Sequence, residues 1–233
     1  MISNLIVKPM AYECKFCKRS FTRESTLSVH LCEPKRRFQQ QNDPGVRLGF
    51  NSYLRFFEMT QGSSKLKTYE DFSSSPYYSA FVKFGQYCVS IRAINTQRFT
   101  DWLLKNNKKI DRWTKDSFYG EYLHEYLKVE AIDDALARAI EFGIDWAEKN
   151  ESQPHDCLRY GNTNAMCYAV TTGRISPWVI YNCESGQKFL SELNTEQLTI
   201  VWPFIDSDFW QKKFRDYPAD QLYVQEILKK AGW

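Results

Sequence analysis

VEAIDDALARAIEFGIDWAEKN, residues 129–150, carries the clearest structural signal in this chain. Ile132, Leu136, Ile140 and Ile144 recur every four residues, and Ala135, Ala139, Gly143 and Ala147 form the row beside them. That spacing is helical, and a row of small side chains next to a row of large ones lets a second helix approach closely. Core packing is the first reading of it, and a groove for a partner helix is the second.

Working outward, the same kind of signal repeats. Asp43 and Pro44 supply an N-cap and a first-turn proline for a helix running to about residue 59 and stopped by Gly62. Ser75 and Pro76 repeat that logic. Further helices are predicted over 96–106, 117–128, 163–172 (ended by Gly173), 207–216 and 218–231, with Asp206 and Tyr217 near the last two starts and Gly232 as the stop. RISPWVIYNC, 174–183, is apolar and rich in β-formers, and predicts a short strand or buried turn. No alternating strand series appears. Residues 44–233 are therefore expected to form one multi-helix globular domain, and the chain is read as mainly α. Aromatic runs such as YYSAFVKF and IVWPFIDSDFW sit at helical spacing, which favours a core of rings over a base-stacking platform.

Bulk composition excludes several classes. The chain has 233 residues, 43% of them apolar and 16% aromatic, which argues against a disordered protein. No apolar run is long enough to span a bilayer, and the first residues lack the pattern expected of a signal peptide. Seven cysteines, an odd number in a long chain, suit a reducing compartment such as the cytoplasm. Net charge is only +3 but is uneven: residues 1–56 hold ten basic and four acidic side chains, and the rest is mildly acidic. A basic head points to an anionic partner at the N-terminal end.

That head contains CKFCKRSFTRESTLSVHLCEPKRR, residues 14–37. Cys14 and Cys17 have the spacing of a metal knuckle, and twelve residues separate Cys17 from His30, the length of a strand followed by a helix. Phe21 and Leu27 stand where so small a module needs its core. On these five positions, residues 10–33 resemble the C2H2-type zinc finger family, which implies a small ββα-like finger and a Zn²⁺ ion. The departure is at the fourth ligand: the next candidate is Cys32, only two residues after His30. Two residues apart on an α-helix are about 200° apart around the axis, so both can face one ion only if the helix breaks after His30. Pro34 is the expected cause of the break. The expected ligand set is Cys14, Cys17, His30 and Cys32, a C2HC variant that is closed and hence structural.

What the finger touches stays open between two readings. If it docks as the family does, Arg23, Ser25 and Thr26 at the helix start face nucleic acid, DNA before RNA, with Val29 contributing no hydrogen bond. Lys35, Arg36 and Arg37, in a basic polar linker over 34–43, are expected to project and pair with phosphates. The rival is a protein-docking finger. Under the first reading the protein is a non-enzymatic nucleic-acid-binding or nucleoprotein-associated factor whose helical domain docks a protein partner; under the second it is an assembly factor. A metal-dependent nuclease using Glu121, His124 and Glu125 comes third. No HExxH, GxSxG or complete phosphate loop occurs, GSSK at 62–65 being a fragment of one, and no catalytic residue is assigned. His155, Cys157, Cys167 and Cys183 are a weak second metal candidate. The chain's size and lone N-terminal finger loosely resemble proteins of large tailed bacteriophages, which would set it in a host cytoplasm.

Overall fold

The computed structural model describes residues 12–62 and 67–233. The fold is mainly α: 71% helical, with fifteen α-helices among the described residues and one two-stranded N-terminal sheet. By its contacts the chain divides into two compact units, Met1–Thr114 and Lys115–Trp233. The sequence reading drew a single body over 44–233. Helical periodicity marks which face of each helix is apolar, not which helices close around the same core. Residues 10 and 11 of the expected finger, and the last three residues of the GSSK loop, lie outside the described residues.

In the first unit, β1 (Tyr12–Glu13) and β2 (Ser20–Phe21) pair antiparallel, Tyr12 opposite Phe21. α1 (Glu24–Ser28), α2 (Glu33–Gln39), α3 (Pro44–Gln61), α4 (Tyr69–Ser74), α5 (Tyr78–Ser90) and α6 (Thr96–Lys105) follow, with a 3₁₀ turn at Ile110–Arg112. α3 begins at Asp43-Pro44 and ends at Gly62, whose φ of 76° needs a residue without a Cβ. α4 starts at a reciprocal capping box between Thr68 and Asp71, a signal the sequence reading passed over. α5 starts later than Ser75-Pro76 suggested, because the Ser75 hydroxyl accepts from the Tyr77 amide and spends those residues on a turn. Residues 34–43, read as a linker, are helical as far as Gln39: Pro34 sits in the first turn of α2, where its missing N–H costs nothing.

α3 and α5 cross at three glycines. A Cβ on Gly85 would lie 2.0 Å from the carbonyl oxygen of Gly45 and 2.5 Å from the amide nitrogen of Gly49, both main-chain atoms. One on Gly49 would lie 2.5 Å from the Phe81 carbonyl oxygen. Backbone therefore rests on backbone, and the large side chains close around the crossing. Phe72, Phe81, Phe84, Phe99, Leu103 and Trp113 are fully buried. The Trp113 ring meets Phe84 and Phe81 edge-on at 5.1 and 5.7 Å, and its indole N–H donates to the Lys108 carbonyl at 2.8 Å. Ser52 and Thr100 hydroxyls, 3.1 Å apart, join α3 to α6 inside this core.

The second unit comprises α7 (Asp116–Tyr126), α8 (Ile132–Asn150), α9 (Asp156–Tyr160), α10 (Thr163–Thr171), α11 (Pro177–Asn182), α12 (Glu184–Glu192), α13 (Thr195–Ile205), α14 (Ser207–Asp216) and α15 (Pro218–Lys230). Its core gathers Trp178, Val179, Ile180, Val201, Trp210 and Val224 with Ala135, Leu136 and Ala139 of α8. In α8 the row of small residues is the buried one, while Ile144 of the large row is exposed. The expected strand or turn at 174–183 is instead α11. Ser176 caps the Trp178 amide and Pro177 opens the helix, so local start signals outweigh the β-branched content. Glu130 is buried against Arg138 at 2.7 Å and Ser176 at 3.0 Å; burial raises its carboxyl pKa, against the pull of Arg138.

Gly85→Ala is expected to cost about 3 kcal/mol or more, the upper end for overpacking, because main chain must separate from main chain. Gly120, in the middle of α7 with nothing near its missing Cβ, provides the contrast. Gly120→Ala should leave stability unchanged or raise it by about 0.5–1 kcal/mol. Denaturant midpoints of the two variants check this.

Candidate metal centre

The knuckle begins where β1 ends. The Cys14 amide donates to the Arg19 carbonyl at 2.9 Å, and the Cys14 carbonyl accepts from Lys18, which adopts a left-handed φ of 60°. This tight turn aims main-chain N–H groups at the Cys14 sulfur. The Cys17 amide is the main cause, and that of Phe16 a smaller one, holding the Cys14 thiol pKa at about 7 despite burial. α1 then spans only five residues, with Arg23 as its extended N-cap and Val29 closing it, so the helix breaks before His30. Cys32 is extended and precedes α2, making no side-chain cap, which leaves its thiol available. The break thus lies one turn earlier than proline alone demands.

These turns bring four donors together. Cys14 Sγ and Cys32 Sγ are 3.8 Å apart, Cys17 Sγ and His30 Nε2 are 3.2 Å apart, and all four ligand atoms lie within 4.8 Å of one another. A tetrahedral ion with metal–sulfur bonds of about 2.3 Å needs sulfurs about 3.8 Å apart. Cys14, Cys17, His30 and Cys32 are therefore positioned to bind one metal ion. Four protein ligands fill a tetrahedron, so the site is suited to holding structure together. Phe21 packs against the His30 ring at 4.7 Å, and Lys35 Nζ donates to the His30 carbonyl at 2.9 Å, fixing the ligand from both sides. Burial raises the Cys32 thiol pKa, which a bound cation would reverse.

Among the described residues no other group of three or more His, Cys, Asp or Glu side chains comes this close. His124 packs edge-on against Phe204 at 4.4 Å, and burial lowers its pKa. Cys157, Cys167 and Cys183 are buried thiols; Cys183 caps α12 by accepting from the Gly186 amide.

The basic residues do not all behave as expected. Arg23, Ser25 and Thr26 are exposed. Lys35 is engaged by His30, and Arg36 pairs with Glu33 at the surface. Arg37 turns inward: its guanidinium lies 4.2 Å over the Tyr78 ring and donates to the Ser73 carbonyl at 2.5 Å and to Glu33 at 2.9 Å. Consecutive residues on a helix differ by about 100° in direction, so a basic run cannot point one way once it is helical. α2 is held to the knuckle as well, through Phe16 and Phe38 with ring centres 5.2 Å apart. Sequence reasoning missed Phe38 and Tyr78 here; a lone aromatic inside EPKRRFQQQND was the available signal. Comparison with family models, curated proteins and solved structures finds no match for this chain.

The site should bind one metal ion per chain, and Cys32→Ser should lose tight binding. Each thiol must shed its proton, so affinity should rise with pH, by about tenfold per pH unit for each thiol still protonated. The Cys14 proton competes only below about pH 7, whereas that of Cys32, with its raised pKa, competes higher. Competition with a chromophoric chelator across pH 6–8 measures this. Arg37→Ala should cost about 1–2 kcal/mol through its lost ring and carbonyl contacts, while Arg36→Ala should be near neutral. Urea denaturation separates them.

Proposed function

We propose that the chain is a non-enzymatic, zinc-stabilised protein that associates with nucleic acid through its N-terminal finger. Zn²⁺ is the ion that three thiolates and one imidazole in a closed tetrahedral set favour. The observation that carries the nucleic-acid reading is the cationic surface around the centre. Lys15, Lys18, Arg19, Arg23 and Arg36 are exposed, with Glu13, Glu24 and Glu33 as the only acidic residues between 12 and 37. α1 is about 7–8 Å long, too short to read many base edges, so phosphate contacts dominate and sequence preference is weak. DNA is the first choice of polymer, with Arg23 as the base reader. The resemblance to C2H2-type fingers supports this at Cys14, Cys17, Phe21, Leu27 and His30. Ligand thiols must stay reduced, which suits the cytoplasm, of a host cell if the chain is viral.

A second reading rests on Val29 and Leu31, which are 79% and 61% exposed on the flank of the same module. They offer an apolar face to a protein, and the helical second unit then serves the same assembly.

Fluorescence anisotropy with labelled duplex and single-stranded DNA and RNA decides between them. Under the nucleic-acid reading, log affinity falls with log salt with a slope of about −3 to −4 on duplex, for about four phosphate contacts. Replacing Lys15, Lys18 and Arg19 together with Ala flattens it by about 2–3, and Val29→Ser with Leu31→Ser changes nothing. No binding at 50 mM salt removes the reading and leaves protein docking in its place.

A further inference from the structure

α2 and α5 flank a shallow, solvent-open cavity of about 290 Å³ in the first unit, most of whose lining residues are exposed. From α2 come Arg36 and Gln40, one helical turn apart. From α5 come Ser79, Lys83 and Gln86, which share one face at spacings of four and three. Arg37 and Tyr78, more buried than these, also line it and are already in contact with each other.

The charges do not balance. Arg36, Arg37 and Lys83 line the cavity against the single carboxylate of Glu33, which Arg36 and Arg37 share. Among the described residues Lys83 makes no ion pair or hydrogen bond, and the side chains of Gln40, Gln86 and Ser79 have none either. One unpaired ammonium, one arginine with donors to spare and three neutral polar groups converge on one space. The first turn of the thirteen-residue α5, where peptide dipoles favour negative charge, opens onto it at Ser79. An isolated exposed lysine would mean nothing; an unbalanced cation facing a cavity with polar groups on both walls is a complement to an anion with several acceptor oxygens.

We infer that this cavity binds a phosphate group, held by Lys83 and Arg36, and that the group is a backbone phosphodiester of the strand that the finger contacts. The second part rests on the nucleic-acid reading above. Its support is continuity: Arg36 lies one turn along α2 from Cys32, so cavity and centre share one rigid element. The cavity would extend the contact from the finger onto the body of the unit.

The test uses the full zinc-loaded chain. Lys83→Ala should weaken binding of a labelled oligonucleotide about eightfold at 0.1 M KCl, and make the salt slope shallower by about 0.9 on duplex or 0.7 on a single strand. Lys83→Arg should restore both. Lys83 is exposed, so the variant should fold as the wild type does, checked by circular dichroism. In parallel, pyrophosphate is titrated into ¹⁵N-labelled protein while the amides of residues 79–86 are followed. If the wild type binds nucleic acid and Lys83→Ala leaves affinity and slope unchanged, the inference is overturned and the finger reading stands. If nucleic acid does not bind but pyrophosphate shifts these amides in the wild type and not in Lys83→Ala, the phosphate site stands, while the strand contact and the finger reading both fall. If neither ligand binds, both fall.

Discussion

The first unit depends on the contact of main chain with main chain where Gly45 and Gly49 of α3 meet Gly85 of α5. Close approach at this point sets the position of α5, and α5 carries Phe81 and Phe84 into the core and presents Tyr78 to Arg37. Arg37 in turn seats α2, and α2 begins immediately after Cys32. The crossing between two helices is thus linked, through Tyr78, Arg37 and α2, to a cysteine positioned to bind a metal ion. The coordination set owes its geometry to the knuckle, but its attachment to the rest of the unit follows from three missing Cβ atoms.

Arg37 also explains why the N-terminal module around the candidate metal centre can be more than a tethered appendage. Its contacts with Tyr78, Ser73 and Glu33 join side chain to ring, main chain and carboxylate at once. A guanidinium does this because its planar fork donates in several directions while its face stacks. Phe16 against Phe38 adds an apolar seam on the adjoining face of α2. The helix is short and would be marginal alone; packing, not propensity, keeps it formed.

How much of this was legible beforehand differs by feature. Long helices were readable because their starts and stops are local: Asp43-Pro44 and Gly62 for α3, Gly173 after α10, Asp206 before α14. The four metal-positioned residues were readable because spacing and ring positions leave few alternatives; the break was expected after His30, whereas α1 closes before it, at Val29. α2 was not readable, since EPKRRFQQQND has the composition of a linker and its helix is stabilised by partners up to 41 positions away. α11 was misread because apolar β-formers outweighed a Ser-Pro start. The glycine crossing was missed although Gly45 and Gly49 stand four apart; attention went to the small residues of α8, where Ala135 and Ala139 do line the core. Division into two units depends on which faces meet, and no local pattern encodes that.

Cys32 belongs to two structures at once, the metal-ligand set and the entry to α2. Seating α2 narrows the positions its thiol can take, and capturing an ion narrows where α2 can begin. By linkage, each event strengthens the other by the same free energy. An excised peptide carrying only the four metal-positioned residues would therefore hold an ion less tightly than the full chain does, and the deficit would equal the work of docking α2. Metal affinity in this protein is partly a property of helices that never touch the metal.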